Sequence, residues 1–410
     1  MASLSESPPA VRGISKASLD ALIAARGAGA VPAQMRYDAL ARFEELPVRQ
    51  ALKGGRGWKH DLSTLDLSAT EVTSVPPVMK ITADLGKRGA LVTPFDSARS
   101  DHAEVFAALF GRGVDTRDDK FASLALAFQR GGAFVWIPDG VQVVEPIEIG
   151  CEFVSGSFPY TLIGLGSGAS ATVIERYSGA PFACGICEIV LGDGANLQYA
   201  VDQRAGANAR TIFTRRATLG RDSTLHLATA ELGGEHAVER IRIAASEPGS
   251  STEVTAFFFA NGDQHVDIAS EVVHSAAATR SQTVIRSAGT DRGQGRYYGN
   301  IKILPQAHGT DASLRDDALL LSEHAHVDSV PALEIAANDV KAFHGATVGA
   351  ISAEEIFYAQ TRGLSRAEAE RMIALGFFEP AIARFPTEAL RAELREALEA
   401  KFAVSDYAKA

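Results

Sequence analysis

A weak internal repeat constrains the fold of this chain more than any other feature of its sequence. The segment "LGSGASA" begins at Leu165, "LGDGANL" at Leu191 and "LGRDSTL" at Leu219, which gives separations of 26 and 28 residues. A looser copy, "LSEHAHV", begins 102 residues further on, at Leu321. That interval leaves room for about four more units of similar length. Self-similarity at such a period is typical of a solenoid, in which each unit buries its apolar face only by stacking on its neighbours.

The repeat lies within a region of short strand-like runs over residues 134–335. β-Branched and aromatic residues are cut there by Gly, Asp, Ser and Asn, as in FVWI, YTLI, EIVL, TIFTR, VERIRI and VTAFFF. No helical pattern separates these runs. The sequence therefore predicts a mainly β protein with a parallel β-helix, or solenoid, as its core; the alternative is a β-sandwich.

Helical patterns flank this core on both sides. Apolar residues recur at three- and four-residue spacing within residues 15–43 and again within 119–130. After the core, Ser352 and Ser365 each precede a glutamate by three residues, the spacing of a capping box, and a last helical stripe covers residues 390–398. We predict an N-terminal helical region (residues 1–130), the β-helix core (131–350) and a C-terminal helical region (351–410).

Composition and charge exclude several classes of partner. Of the 410 residues, 46% are hydrophobic and 22% are charged, as in an ordinary globular protein. The net charge of -10 and the lack of basic runs argue against a nucleic-acid partner. No apolar stretch approaches the roughly 18 residues that a membrane span requires, and no secretory leader pattern is present. With only three cysteines, we expect a cytoplasmic protein with no membrane partner.

Two motifs raise the question of redox, metal or nucleotide chemistry. Cys184 and Cys187 form a CxxC, but the strand-like EIVL follows at once and no second cysteine pair completes a zinc site. We interpret them as small residues at a solenoid corner, with a redox or metal role as the alternative. The loop "GGRGWKH" at residues 54–60 has the glycines of a phosphate-binding loop but lacks the Gly-Lys-Ser/Thr ending, so nucleotide binding is not favoured.

Three histidines are candidate ligands. His324 and His326 are two residues apart and would share one face of a strand with Asp328, which is a possible metal-binding arrangement. Histidines at an exposed polar turn are the alternative. His344 lies in "VKAFHGATVG", between an apolar pair and two glycines, and from this segment alone it is either a ligand or a buried or turn histidine.

A carbohydrate-active enzyme is the alternative function for a β-helical chain. Such enzymes need paired carboxyl groups close together at one site. The acidic residues here are scattered along the sequence, so this function is not favoured.

The segment over residues 329–378 resembles the core signature of the SufB/SufD family of iron–sulfur cluster assembly scaffold proteins, and in detail its SufD branch. The resemblance rests on Pro331, the Leu-Glu-Ile at 333–335, the Asp-Val-Lys at 339–341, the His-Gly-Ala-Thr at 344–347 and the Phe-Tyr at 357–358. Arg-Gly at 362–363 and Gly-Phe at 376–377 extend it, and weaker similarity spans most of residues 40–400.

The resemblance implies a scaffold subunit that is not itself an enzyme. A SufB-like scaffold would pair with the chain through the two β-helices, and a SufC-like ATPase would dock on the C-terminal helices. A transient iron–sulfur cluster would form at the interface with SufB, and no cofactor is expected on the isolated chain. Whether the isolated chain instead forms a homodimer stays open.

The resemblance also implies roles for particular residues. His344 matches the family histidine that is a proposed ligand of the nascent cluster at the SufB–SufD interface. Many SufD proteins have a cysteine two residues earlier, where this chain has Ala342, so a thiolate ligand would come from SufB. Phe357, Tyr358, Arg362 and Gly363 are expected to contact the ATPase, since aromatic and arginine side chains dominate interface energetics. The alternative for the two aromatics is packing against the end of the β-helix.

Overall fold

The computed structural model describes residues 11–26, 29–47, 67, 70–72, 78–82, 89–114 and 119–404. The helices are α1 (Lys16–Arg26), α2 (Ala33–Glu45), α3 (Phe95–Asp101), α4 (Ala103–Leu109), α5 (Lys120–Ala127), α6 (Ala353–Thr361), α7 (Arg366–Ile382) and α8 (Glu388–Val404). The shorter strands of the first part are β1 (Val11–Arg12), β2 (Glu71–Val72), β3 (Val78–Thr82), β4 (Leu91–Pro94) and β5 (Ala133–Ile137). The strands that follow are β6 (Ile147–Ser157), β7 (Tyr160–Leu165), β8 (Ser170–Leu191), β9 (Asn196–Gln203), β10 (Arg210–Leu219), β11 (Thr224–Glu231), β12 (His236–Ala245), β13 (Ser251–Ala260), β14 (His265–His274), β15 (Arg280–Gly289), β16 (Gln294–Ile303), β17 (Thr310–Leu320), β18 (His326–Ile335) and β19 (Val340–Ala350).

From β7 onward the strands form a parallel β-helix, as predicted. Each strand from β10 to β17 pairs in parallel with the strands two before and two after it, so alternate strands stack into two faces. The first sheet contains β10, β12, β14, β16 and β18; the second contains β9, β11, β13, β15, β17 and β19. The long strand β8 runs through both faces, because its first part pairs with β9 and its last part with β10.

The sequence repeat follows the strand pairing of the first sheet. Leu165 pairs with Leu191, and Leu191 pairs with Leu219, so the first coils are 26 and 28 residues long. Four further pairings along this sheet lead from Leu219 to Ile335, the number of coils expected. The looser copy at Leu321 is out of phase, since it lies at the opposite corner, between β17 and β18.

The glycines of the repeat serve one corner of the coil. Gly168 and Gly194 have φ values of +63° and +66°, which side chains with a Cβ rarely adopt. Their N–H groups donate to the carbonyl oxygens of Asp193 and Arg221 in the next coil, each at 2.7 Å. The backbone polar groups of the turn are thus paired from coil to coil, which is why the motif recurs.

Helices cover the outer faces of the two sheets. Helix α5 packs on the first sheet, where Asp119 caps it by accepting hydrogen bonds from the N–H groups of Phe121 and Ala122. Asp119 also pairs with Arg216 at 3.1 Å and Arg240 at 3.0 Å on β10 and β12. These two arginines hold the pKa of Asp119 below its usual value although burial acts to raise it. The cap therefore also fixes the helix to the sheet.

On the second sheet, aromatic side chains make the contact with the covering helices. Phe257 and Phe259 of β13 point outward and are fully buried under α7 and α8. The Phe259 ring stacks on Phe402 with centroids 4.5 Å apart, and Phe257 lies 5.6 Å from Phe378. Large buried aromatic surfaces are the main source of such docking energy. The C-terminal helices are thus packed on the β-helix.

The helix predictions at the termini hold with two changes. The 15–43 pattern is two helices, α1 and α2. Ser365 and Glu368 form the expected capping box, whereas Ser352 caps α6 only through the N–H of Glu354. None of the described helices has the length and hydropathy needed to cross a membrane. The region boundaries at 130 and 350 stay predictions.

Candidate functional site at the open end of the solenoid

The last coil of the solenoid has unpaired edges. Strand β18 pairs with β16, and β19 pairs with β17, but neither has a strand on its other side among the described residues. Their outward N–H and C=O groups are thus available for pairing with another chain. We call this surface, formed by β18 and β19, the open end.

The open end exposes three apolar side chains, two of them at inward positions and one, Phe343, on the outer face of β19. Ile335, Phe343 and Val348 are 45%, 59% and 44% exposed. Leu333 and Ala342 face inward and pack only partly against the core. Exposed apolar side chains that lie close together mark interaction surfaces. The open end therefore combines free strand edges with an apolar surface.

His344 lies on the inward face of β19. It pairs in register with Leu314 of β17, whose side chain is 1% exposed, but His344 itself is exposed because no coil follows. It makes no hydrogen bond or ion pair with any described residue. The interpretation as a buried or turn histidine is therefore wrong: His344 is a strand residue whose imidazole is open to a ligand or partner. Ala342, two residues earlier, faces the same way and supplies no ligand atom.

Helix α6 exposes two aromatic rings beside this end. Phe357 is 68% and Tyr358 is 62% exposed, while Ile356 and Ala359 on the same helix are buried. The alternative that the aromatics pack against the β-helix is therefore wrong. Arg362 donates to the Tyr358 hydroxyl at 3.2 Å, and its guanidinium lies 5.3 Å from the ring centroid.

Gly363 directly follows this group with a φ of +93°. A residue with a Cβ would be strained in that conformation, so the turn that ends the aromatic face requires glycine. The four predicted contact residues, at 357, 358, 362 and 363, thus lie together on one exposed helix end.

Sequence reasoning missed a buried carboxyl beneath the open end. Asp316 on β17 is 0% exposed and accepts a hydrogen bond from Ser329 Oγ of β18. Burial raises the pKa of Asp316 to about 7. Its neighbours in sequence, "RDDALLL", contain two adjacent acids, and only the period-two alternation of a strand could have shown that one of them points inward.

The CxxC does not form a redox or metal site. Cys184 and Cys187 lie in the last part of β8, where it pairs with β10, so the prediction of a corner position is wrong. Three residues apart on a strand, they point to opposite faces: Cys184 donates to the Phe121 carbonyl of α5 at 3.3 Å, and Cys187 lies in the solenoid core. Burial raises the pKa of both thiols, which disfavours the reactive thiolate form.

The other candidate ligands are not brought together. His324 lies in the turn before β18, not on the strand as expected, and His326 pairs with Asp328 at 2.8 Å on the surface. Within the ranges that the structure describes, no three His, Cys, Asp or Glu side chains are grouped as metal ligands. The glycine-rich loop at 54–60 lies outside the described residues.

A pocket against the second sheet does not support glycan chemistry. It has a volume of about 210 Å³ and lies between β9, β11 and the connection from α7 to α8. His226, Arg384 and Arg391 are among its lining residues, but no Asp or Glu is. The carboxyl pair of a glycoside hydrolase is absent from this pocket.

Comparison with known proteins places this architecture in a family. The sequence model described as "SUF system FeS cluster assembly, SufBD core domain" matches residues 149–377, more than half of the chain. The chain belongs to the SufBD family. The SufBD match runs from β6 into α7 and so includes the open end, Asp316 and helix α6. The SufBD family functions in SUF-system iron–sulfur cluster assembly.

Curated relatives carry the same family name. An iron–sulfur cluster assembly SufBD family protein of Staphylococcus epidermidis is 27% identical over 313 residues, which cover 74% of this chain and 67% of the relative. The proteins of the same description from Staphylococcus haemolyticus and Staphylococcus aureus are 27% and 26% identical over the same lengths. The resemblance to the SufB/SufD family is thus confirmed.

Proposed function

We propose that this chain is a SufD-like scaffold subunit of a SUF iron–sulfur cluster assembly complex. It pairs with a SufB-like scaffold through the β-helix and with a SufC-like ATPase through the C-terminal helices. ATP hydrolysis belongs to the ATPase, so the chain is a non-catalytic subunit, and it works in the cytoplasm. The observation that carries the proposal is the open end, whose free edges and exposed Phe343 and Val348 suit the end of a second β-helix.

His344 is the residue of this chain that contacts the nascent cluster. Imidazole nitrogen is a suitable ligand for iron, and a single such ligand binds weakly enough for the cluster to leave. Ala342 supplies no thiolate, so the sulfur ligands come from the SufB-like partner. The cluster is cargo that forms between two subunits, and neither subunit alone provides a complete ligand set.

The ATPase docks on the exposed end of α6. Phe357 and Tyr358 are large rings without cover from the described residues, and Arg362 holds Tyr358 in place. Aromatic and arginine side chains in such a group are the usual anchors of a protein interface.

Co-expression with the SufB-like and SufC-like proteins of the same organism tests this function. Purification through a tag on this chain is compared for wild type, His344→Ala and the control His308→Ala, an exposed turn histidine outside β18 and β19. We expect all three to recover both partners and only His344→Ala to lose iron and sulfide after anaerobic reconstitution. Failure of wild type to recover either partner would refute the subunit assignment, and equal cluster content would refute the role of His344.

The oligomeric state without partners is a separate question. A chain with free strand edges has reason to pair with a second copy when SufB is absent. Sedimentation of the isolated chain with and without an excess of the SufB-like protein decides between a homodimer and a monomer.

A further inference from the structure

The pocket between the second sheet and the connection from α7 to α8 brings together hydrogen-bonding groups from two parts of the chain. Its floor includes the outward side chains of Gln198 on β9 and His226 on β11, which pair in register. Its wall is formed by residues 383–386 and by Arg391 of α8. A concave site with a few converging polar groups is the usual form of a small-molecule site. The pocket is therefore a candidate binding site.

Two arginines line the pocket, and each uses only part of its guanidinium group within the chain. The described hydrogen bonds of Arg384 all come from Nη1, and one of them goes to Glu253 at 3.2 Å. Arg391 donates from Nε to Glu388 at 2.9 Å and from Nη1 to the carbonyl oxygen of Phe385 at 2.7 Å. The Nη2 group of each arginine thus has no hydrogen-bond partner among the described residues, and both remain available to a ligand.

The floor of the pocket adds two further polar side chains. His226 pairs with Glu253 through Nδ1 at 3.5 Å, which leaves Nε2 without a partner in the described part of the chain. Gln198 is exposed, and its amide makes no hydrogen bond with a described residue. No Asp or Glu is among the residues that line the pocket. Because guanidinium groups only donate hydrogen bonds and carry positive charge, the lining favours an anion.

The wall of the pocket is held in place by contacts behind it. Phe385 is fully buried, and its ring lies edge-on to Phe257 of β13 with centroids 5.6 Å apart. The hydrogen bond from Arg391 to the Phe385 carbonyl then ties the first turns of α8 to the same segment. Groups that are already positioned lose little freedom when a ligand binds. The two arginines therefore face the pocket from a fixed segment of the chain.

We infer that this pocket binds the phosphate group of a small phosphate monoester. The planar guanidinium group matches the geometry of phosphate oxygens, and such an ester is largely a dianion at neutral pH. The volume of about 210 Å³ exceeds that of one phosphate group, and Ala228 and Pro386 offer apolar surface to an organic substituent. The inference stands apart from the proposed function, because the pocket includes no residue of the open end or of α6.

Titration calorimetry of phenyl phosphate into the isolated full-length chain, in a phosphate-free buffer at constant ionic strength, tests the site. We expect wild type to bind one phenyl phosphate. Arg384→Gln and Arg391→Gln should each weaken binding by at least about tenfold, because each removes a charge-assisted contact. The matched control Arg371→Gln removes the same charge from α7, where Arg371 pairs with Glu399 and does not line the pocket. This control should bind as wild type does.

A variant with the opposite expected effect protects the test against a change in folding. Glu253 competes with the ligand, since its carboxylate pairs with both Arg384 and His226. Glu253→Gln removes that negative charge and should tighten binding of phenyl phosphate several-fold. A gain in affinity cannot result from loss of folded protein. Thermal unfolding of each variant is measured in parallel, and unchanged or weaker binding by a folded Glu253→Gln would count against the site.

Two further ligands separate the phosphate group from the organic part. Phenol, which lacks the phosphate, should not bind, and inorganic phosphate should bind more weakly than phenyl phosphate. Inorganic phosphate that bound as tightly would overturn the assignment to an ester. No binding of phenyl phosphate in the millimolar range, wild-type affinity in a folded Arg384→Gln, or an equal loss in Arg371→Gln would overturn the site itself.

Discussion

The two ends of the solenoid are built differently. At the N-terminal end, β3 runs antiparallel to β6 and β4 runs antiparallel to β5, so the edges of the first coil are covered. At the C-terminal end, β18 and β19 each pair on one side only within the described part of the chain. Proteins cover strand edges that must not pair. The first coil thus ends in short antiparallel strands, whereas the last coil ends in two long parallel strands that could pair with the strands of a further β-helix.

The buried charged residues near the two ends of the solenoid also differ in their partners. We call the N-terminal end of the solenoid, with β3 and β4, the closed end. On its side of the solenoid, Arg215 of β10 lies in the interior between Glu175 at 3.2 Å and Glu239 at 2.7 Å. Burial raises the pKa of Glu239 to about 8, and the charge of Arg215 acts against that rise. Near the open end, the Ser329 hydroxyl is the one hydrogen-bond donor to Asp316 among the described residues, and the charge of Arg286 acts on this carboxyl from nearby. Two buried carboxyl groups thus share one arginine at the first place, whereas a single buried carboxyl has a neutral donor at the second.

The largest expected effect is on the closed end. Glu188 on β8 accepts hydrogen bonds from the N–H groups of Gly111 and Gly113, at 2.8 and 2.6 Å, and from the Tyr160 hydroxyl at 2.7 Å. Glu188→Ala leaves these buried donors without an acceptor. We expect the free energy of unfolding to fall by about 3 kcal/mol, as measured by denaturant titration.

The matched control is Glu334→Ala at the open end. Glu334 pairs with Lys302 at 3.2 Å, and both side chains are about a third exposed. A partly exposed pair contributes below about 1 kcal/mol. Equal losses in the two variants would contradict the claim that the closed end is held by internal contacts and the open end is not.

The sequence predicts the architecture well because residues that recur in the repeat are stacked on one another in the structure. The leucine recurs because each copy stacks on the copy in the coil before it, at Leu165, Leu191 and Leu219. The glycines recur because the turn at one corner of each coil requires a positive φ. Coil length then grows to 32 residues between Ile303 and Ile335, so a repeat search at a fixed period loses phase and places Leu321 at the wrong corner. The turns at the corners differ in length because the core does not constrain them, so the later coils are not found by a search at one fixed period.

The site is predicted less completely. His344 and the aromatics at 357 and 358 are found through a resemblance, because a strand histidine looks the same in sequence whether or not a further coil covers it. Asp316 is missed since burial on the inner face depends on which sheet a strand joins. The CxxC is misplaced because β8 passes from one sheet to the other at residues 178–181, before Cys184, so both cysteines lie on the strand that follows this change.

A second prediction asks whether the interior stays dry behind the open end. His274 of β14 is fully buried and bonded to Thr279 and Ser281 at 2.8 and 2.9 Å, and burial lowers its pKa from 6.5 to about 4. Between these pH values the unfolded chain binds a proton that the folded chain does not. The free energy of unfolding should therefore fall by about 3 kcal/mol as pH drops from 6.5 to 4.

His274→Gln should remove this part of the acid sensitivity, whereas His308→Gln, at an exposed turn, should retain it. Denaturant titrations of the three proteins across pH 4–7 measure the difference, and NMR titration gives the pKa of His274 directly. A pKa near the ordinary value would mean that water enters the solenoid through the open end. That outcome would contradict the difference between the two ends, since water would then reach the interior along its whole length.

The smallest expected effect concerns association. Phe343 is 59% exposed at the open end, and Val144 is 82% exposed in the loop before β6, near the closed end. Phe343→Asp and Val144→Asp introduce the same charge at an exposed apolar position, so each should change the free energy of unfolding by less than about 0.5 kcal/mol. Only Phe343→Asp should weaken binding of the SufB-like partner, by about 2 kcal/mol or roughly 30-fold, because a central aromatic anchor is lost. Titration calorimetry measures both affinities. If Val144→Asp weakened binding and Phe343→Asp did not, the partner would sit at the closed end, and the free edges of β18 and β19 would need another explanation.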